Sequence, residues 1–147
     1  MSKNETVKVG IRIRPLNKRE TEMNSPVCVD NKDNILSIKK DKDSKEFVFD
    51  YVFGIDTRQE SIYENCAFNL VENALEGYNG TVFAYGQTGA GKTFTMVGDY
   101  KDPEIKGIIP RTFDHVISAI HTSEDRKYVV RASFIEIYNE DIMDLLE

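Results

Sequence analysis

Residues 86–93 read Gly86-Gln87-Thr88-Gly89-Ala90-Gly91-Lys92-Thr93, the full pattern G-x-x-x-x-G-K-[ST]. These residue types at this spacing wrap a backbone around the phosphates of a nucleotide. The glycines let successive N–H groups turn inward with no Cβ in the way, and Lys92 supplies a mobile positive charge. Thr93 offers a hydroxyl to a magnesium ion that bridges the terminal phosphates.

Such a loop works only between a strand and a helix. Thr81-Val82-Phe83-Ala84-Tyr85, rich in β-branched and aromatic residues, predicts a strand leading into it. From Lys92 to Val97 nothing breaks a helix, so one can begin inside the motif and aim its positive end at the anion. Upstream, Val7 to Arg14 alternates apolar and polar residues and stops at Pro15, which predicts a strand. Short apolar runs between residues 27 and 49 predict a small antiparallel meander, and Phe47–Phe53 a second main strand.

A helix follows, its start signalled by two capping-box spacings, at Thr57–Glu60 and Ser61–Glu64. Its apolar face runs through Ile62, Tyr63, Cys66, Ala67, Leu70, Val71, Ala74 and Leu75, and Gly77 ends it. Residues 98–107 contain Gly98, Pro103 and Gly107 and predict a loop. After Ile109-Pro110 a helix is expected, with Phe113, Val116, Ile117 and Ile120 on one face. Tyr128–Tyr138 predicts a long strand that turns back at Asn139-Glu140-Asp141 into Ile142–Leu145. Strands alternating with helices around a phosphate loop predict an α/β phosphate-loop NTPase fold. Its central, mostly parallel sheet would be flanked by helices.

Composition narrows the function. A chain of 147 residues, 40% hydrophobic, suits one domain with a sizeable core. No apolar run approaches membrane-spanning length, and the polar start Met1–Thr6 does not resemble a signal peptide. Cys28 and Cys66 form no C-x-x-C pair, so two reduced thiols are expected. Neither His115 nor His121 alters that. A net charge of −6, from 19 basic and 25 acidic residues, argues against nucleic acid as a partner. The alternating charges from Lys39 to Lys45 predict a solvated turn. Glu136, in an otherwise apolar strand, is expected in an ion pair rather than in catalysis. Tyr78 and Tyr85 are expected to pack.

Arg12-Ile13-Arg14-Pro15-Leu16-Asn17, Phe49–Phe53 and Glu76–Thr88 together resemble the opening half of a kinesin motor domain. Gly91–Met96, Gly107–Arg111 and Ser133–Glu140 continue the resemblance in the same order, from Val7 to Leu146. Val130–Ser133 with Glu136–Glu140 is similar to the heteromeric, ciliary-transport branch. The resemblance implies that Gly86, Gln87, Thr88, Gly89, Ala90, Gly91, Lys92 and Thr93 hold the triphosphate of ATP. Lys92 would stabilise charge on the transferred phosphate, and Thr93 would ligate Mg2+. Arg12, Arg14 and Pro15 would lie on the purine and ribose side. Phe94 either stacks on the base or belongs to the core. Microtubules are the implied partner and neither membrane nor nucleic acid is expected. The cytoplasm and its cytoskeleton, including the cilium or flagellum, would be the place of work, with dimerisation through a stalk.

The family's two switch segments, N-x-x-S-S-R-S-H and D-x-A-G-x-E, do not occur in these 147 residues. Residues 1–147 are therefore expected to be the N-terminal part of a motor domain, which binds nucleotide but does not hydrolyse it alone. Three readings stay open at this point. They are the ATP-binding portion of a microtubule-stimulated ATPase, a kinesin-derived nucleotide-binding module without hydrolysis, and an unrelated phosphate-loop ATPase.

Overall fold

The computed structural model describes residues 7–40, 43–124 and 126–147. In chain order these form β1 (Gly10–Arg12), α1 (Lys18–Glu22), β2 (Val29–Lys32), β3 (Ile35–Lys40), β4 (Asp43–Val48) and β5 (Tyr51–Phe53). Then come α2 (Gln59–Cys66), α3 (Phe68–Leu75), α4 (Lys92–Met96), α5 (Ile108–Thr122), β6 (Ile135–Tyr138) and β7 (Asp141–Asp144). The polar start and residues 41–42 of the expected charged turn lie outside the described residues. The rest of that 39–45 stretch belongs to the paired ends of β3 and β4. Two compact units divide after Val116.

In the first unit, β1 and β5 pair in parallel, with Ile11 opposite Val52. Asp50 anchors the start of this pair by accepting from Val9 N at 2.9 Å and from Lys8 Nζ at 3.1 Å. Gly10 belongs there because a Cβ would stand 3.2 Å from the Phe53 ring. The expected meander is present as the antiparallel order β2-β3-β4, turning at Asp33 with φ 51°. The second main strand begins later than expected, at Tyr51 rather than Phe47, because residues 43–48 pair with β3 instead.

The expected single helix is two, α2 and α3, interrupted at Ala67 with φ −124°. Bonds from Ala67 N to Tyr63 O and from Val71 N to Ala67 O carry the ladder across the break. Neither capping box is used, since Arg58 takes the N-cap position without a side-chain bond. Gly77, at φ 103°, closes α3 as expected. Its N–H meets Ala74 O and the next N–H, of Tyr78, meets Asn73 O, a Schellman end that satisfies two helix carbonyls. The core comprises Phe53, Ile62, Tyr63, Ala67 and Ile108, with Tyr51, Cys66, Val82 and Met96 packed against it. His115 fastens α5 to this body through Tyr63 Oη at 2.7 Å and Glu72 Oε1 at 2.7 Å.

Other expectations fail. Thr81–Tyr85 forms no strand, although its burial still alternates, and Phe83 and Tyr85 are 77% and 94% exposed. β-propensity is realised only against a partner ladder and a covering face, and no described segment pairs with these residues. For the same reason Tyr78 and Tyr85 do not pack, and the expected 128–138 strand shortens to β6. Of the apolar face expected along α5, Val116 and Ile120 are half-buried, while Phe113 and Ile117 are exposed.

The second unit contains the β6–β7 hairpin, turning at Asn139 with φ 54°. Glu136 is exposed opposite Met143 and, among the described residues, has no ion-pair partner within 4 Å. Cys28 and Cys66 are free thiols, and burial pushes the Cys66 thiol above its ordinary value. Among the described residues no helix is long and apolar enough to cross a membrane.

Candidate nucleotide site

The loop from Gly86 to Thr93 turns on glycines at φ 152° (Gly86), 81° (Gly89) and 96° (Gly91). A Cβ added at Gly89 or Gly91 would meet nothing within 4 Å, so the backbone is bare toward open space on that side. Gly91, in the left-handed conformation, is the N-cap from which α4 starts at Lys92. Ala90 N bonds to Gln87 O at 3.1 Å. Among the described residues the N–H groups of Thr88, Gly89, Gly91, Lys92 and Thr93 have no protein partner. A run of bare, unpartnered donors fits an anion with several oxygens.

Lys92 Nζ folds back on this loop, donating to Gly86 O at 2.8 Å and to Gln87 O at 2.9 Å. An ammonium has three donors, so one remains for an incoming oxygen. The Thr93 side chain is exposed and, among the described residues, its hydroxyl has no partner. A free hydroxyl next to the lysine suits a magnesium ion bound to phosphate oxygens. The residues present therefore fit both Mg2+ and the phosphates.

Beyond the loop, Phe94 is 46% exposed and carries the Arg12 guanidinium 4.8 Å from its ring centroid. Arg12 Nη1 is held by Gln59 Oε1 at 2.7 Å and by Thr95 Oγ1 at 2.8 Å. Burial pushes the Arg12 guanidinium below its ordinary value. The structure thus brings Arg12, Phe94 and the loop's exit helix together. Arg14 forms a bidentate pair with Glu20 at 2.6 and 2.7 Å. Arg14 also donates to Pro15 O at 2.9 Å and so fixes the turn at Pro15, whose ring is exposed. The Arg14 guanidinium, followed by the Asn17 backbone N–H, brings the Glu20 carboxyl down to about 2.

Sequence reasoning missed α1, although Asn17-Lys18-Arg19-Glu20 carries a capping-box spacing. Glu20 N donates to Asn17 Oδ1 at 2.9 Å and Asn17 N to Glu20 Oε2 at 2.8 Å. It also missed Gln59, Thr95 and Arg111. Arg111 clamps the 98–107 loop by donating to Pro103 O at 2.7 Å and Lys106 O at 3.0 Å.

The kinesin motor domain profile matches residues 12–147. The chain is 45% identical over 148 residues to the kinesin-like protein klp-20 of Caenorhabditis elegans, covering 97% of this chain and 23% of that one. It is 40% identical over 158 residues to the kinesin-like protein KIF15 of Rattus norvegicus, with 99% of this chain and 11% of that one covered. The KIF15 protein of Mus musculus is 42% identical over 155 residues, again spanning 97% and 11%. The chain thus spans less than a quarter of the length of these relatives, and it belongs to the kinesin motor-domain family.

Proposed function

We propose that the chain is the ATP-binding, N-terminal part of a motor domain that couples ATP hydrolysis to movement along microtubules. The observation that carries this is the 86–93 loop, whose N–H groups at Thr88, Gly89, Gly91, Lys92 and Thr93 have no partner among the described residues and whose Lys92 Nζ lies on the Gly86 and Gln87 carbonyls. In this reading Gly86–Thr93 hold the triphosphate. Lys92 leaves the Gly86 and Gln87 carbonyls to follow the charge on the terminal phosphate. Thr93 holds the magnesium ion through its hydroxyl, and the ion when bound neutralises charge on the terminal phosphate oxygens. Arg12 and Phe94 offer a flat surface to the purine, and Arg14 fixes Pro15 beside it.

The parallel β1–β5 pair supports a place in a central, mostly parallel sheet, which residues 81–85 and 128–134 extend in the whole motor domain. Turnover and the microtubule-binding face belong to that whole domain, since neither switch pattern occurs in these 147 residues. These residues alone bind nucleotide without hydrolysing it. The whole motor works on the cytoskeleton, dimerises through its stalk, and serves the cilium or flagellum in keeping with its similarity to the heteromeric branch.

Titration with a fluorescent ATP analogue and Mg2+ tests the site. Saturable binding is expected, weakened by about a hundredfold in Lys92→Ala. No binding, or binding that Lys92→Ala leaves unchanged, would overturn the assignment. Microtubule-stimulated turnover of the full-length motor tests the coupling.

A further inference from the structure

One buried amide ties together three segments that meet beside the loop. Gln59, the first residue of α2, is 4% exposed. Its Oε1 accepts from Arg12 Nη1 at 2.7 Å, while Nε2 donates to Phe94 O at 2.7 Å and to Ile105 O at 3.0 Å. These three bonds fix which way the amide faces. A flip would set its NH2 group against a guanidinium and its oxygen against two carbonyls. Position 59 therefore needs an acceptor at one corner and a double donor at the other, at the length of glutamine. The needs of α2 do not explain this, because its N-cap is Arg58 and the Gln59 side chain bonds to no other residue of the helix. What the bonds accomplish is at Arg12. Gln59 Oε1 and Thr95 Oγ1 together hold the guanidinium over the half-exposed Phe94 ring.

We propose that Gln59 is a positioning residue for the base end of the nucleotide site, acting by holding Arg12 over Phe94 before ligand arrives. The inference rests on the nucleotide reading given above. An unheld arginine loses its rotamer freedom at each binding event, and one fixed beforehand does not. Gln59 thus governs affinity for ligands that carry a base, and the phosphates remain the work of residues 86–93.

The test compares Mg-ADP with Mg-tripolyphosphate, which has no base, by calorimetry on the full chain. Gln59→Met is expected to weaken ADP about tenfold, the effect of losing one charge-assisted hydrogen bond. Tripolyphosphate affinity should stay within about twofold. In an Arg12→Met background, Gln59→Met should add no further loss, since both act through one guanidinium. Gln59→Glu keeps the oxygen that faces Arg12 and should retain ADP affinity within about threefold, even with a lowered melting temperature. That variant carries the test if Gln59→Met does not fold. Equal losses for both ligands, additive losses in the double variant, or Gln59→Glu binding ADP as weakly as Arg12→Met would overturn the inference alone. An unaltered chain that binds neither ligand would overturn the nucleotide reading, and the inference with it.

Discussion

The two flanks of the phosphate loop are held in different ways. On the entry side, residues 79–85 follow the end of α3 with no ladder, and Tyr78, Phe83 and Tyr85 face solvent. Val82 alone is packed against the core. On the exit side, α4 has only five residues, yet distant elements pin it. Gln59 takes the Phe94 carbonyl, Arg12 takes the Thr95 hydroxyl, and the 98–107 loop closes back through Gly107 N to Val97 O at 2.8 Å. The difference teaches that the loop's shape here is set from its exit. Side-chain bonds from β1, α2 and α5 do what a sheet does not do on the entry side.

The contrast can be broken most sharply at the glycines. Gly98→Ala combines φ 63° with a Cβ that would overlap the Ile105 carbonyl oxygen and stand 2.7 Å from Gly107 N. A loss on the order of 3 kcal/mol is expected in denaturant unfolding. Removing the loop clamp with Arg111→Met orphans the Pro103 and Lys106 carbonyls and should cost about 1.5 kcal/mol by the same measurement. On the entry side Gly77→Ala meets the same kind of φ, 103°, but open space, so about 1 kcal/mol is expected. Equal costs at Gly77 and Gly98 would contradict the asymmetry.

The Arg14–Glu20 pair belongs to neither flank, and a pH experiment reads it separately. Glu20 titrates at about 2 in the folded chain, against 4.5 ordinarily. The folded state therefore favours the carboxylate, and this stabilisation is complete above about pH 4.5 and fades as the pH falls toward 2. The melting-temperature gap between the unaltered chain and Glu20→Gln should accordingly be constant near neutrality and close through that window. The smallest effect is expected at Tyr85→Ser, where a 94% exposed ring is lost and stability should change by less than about 0.5 kcal/mol.

What was legible in the sequence follows the same division. The loop could be read because its chemistry lies in eight consecutive residues, and Gly77 and Asn139 because local turns demand their backbone conformations. The Asn17–Glu20 cap was equally local and was overlooked because the helix it starts is five residues long. Gln59 carried no signal, since its partners lie 47, 35 and 46 residues away and nothing in the spacing of neighbours points to them. Thr81–Tyr85 misled in the opposite direction. Alternation gave the correct sides of the segment but not its pairing, which depends on a neighbour that no local pattern supplies.

The proposed nucleotide cradle of residues 86–93 is fixed from the exit side. Amide hydrogen exchange with and without saturating Mg-ADP tests it most directly. The N–H groups of Thr88, Gly89, Gly91, Lys92 and Thr93 should slow by about tenfold or more on binding, while those of residues 81–85 remain unchanged. Unchanged exchange across residues 88–93 in the presence of bound nucleotide would contradict it.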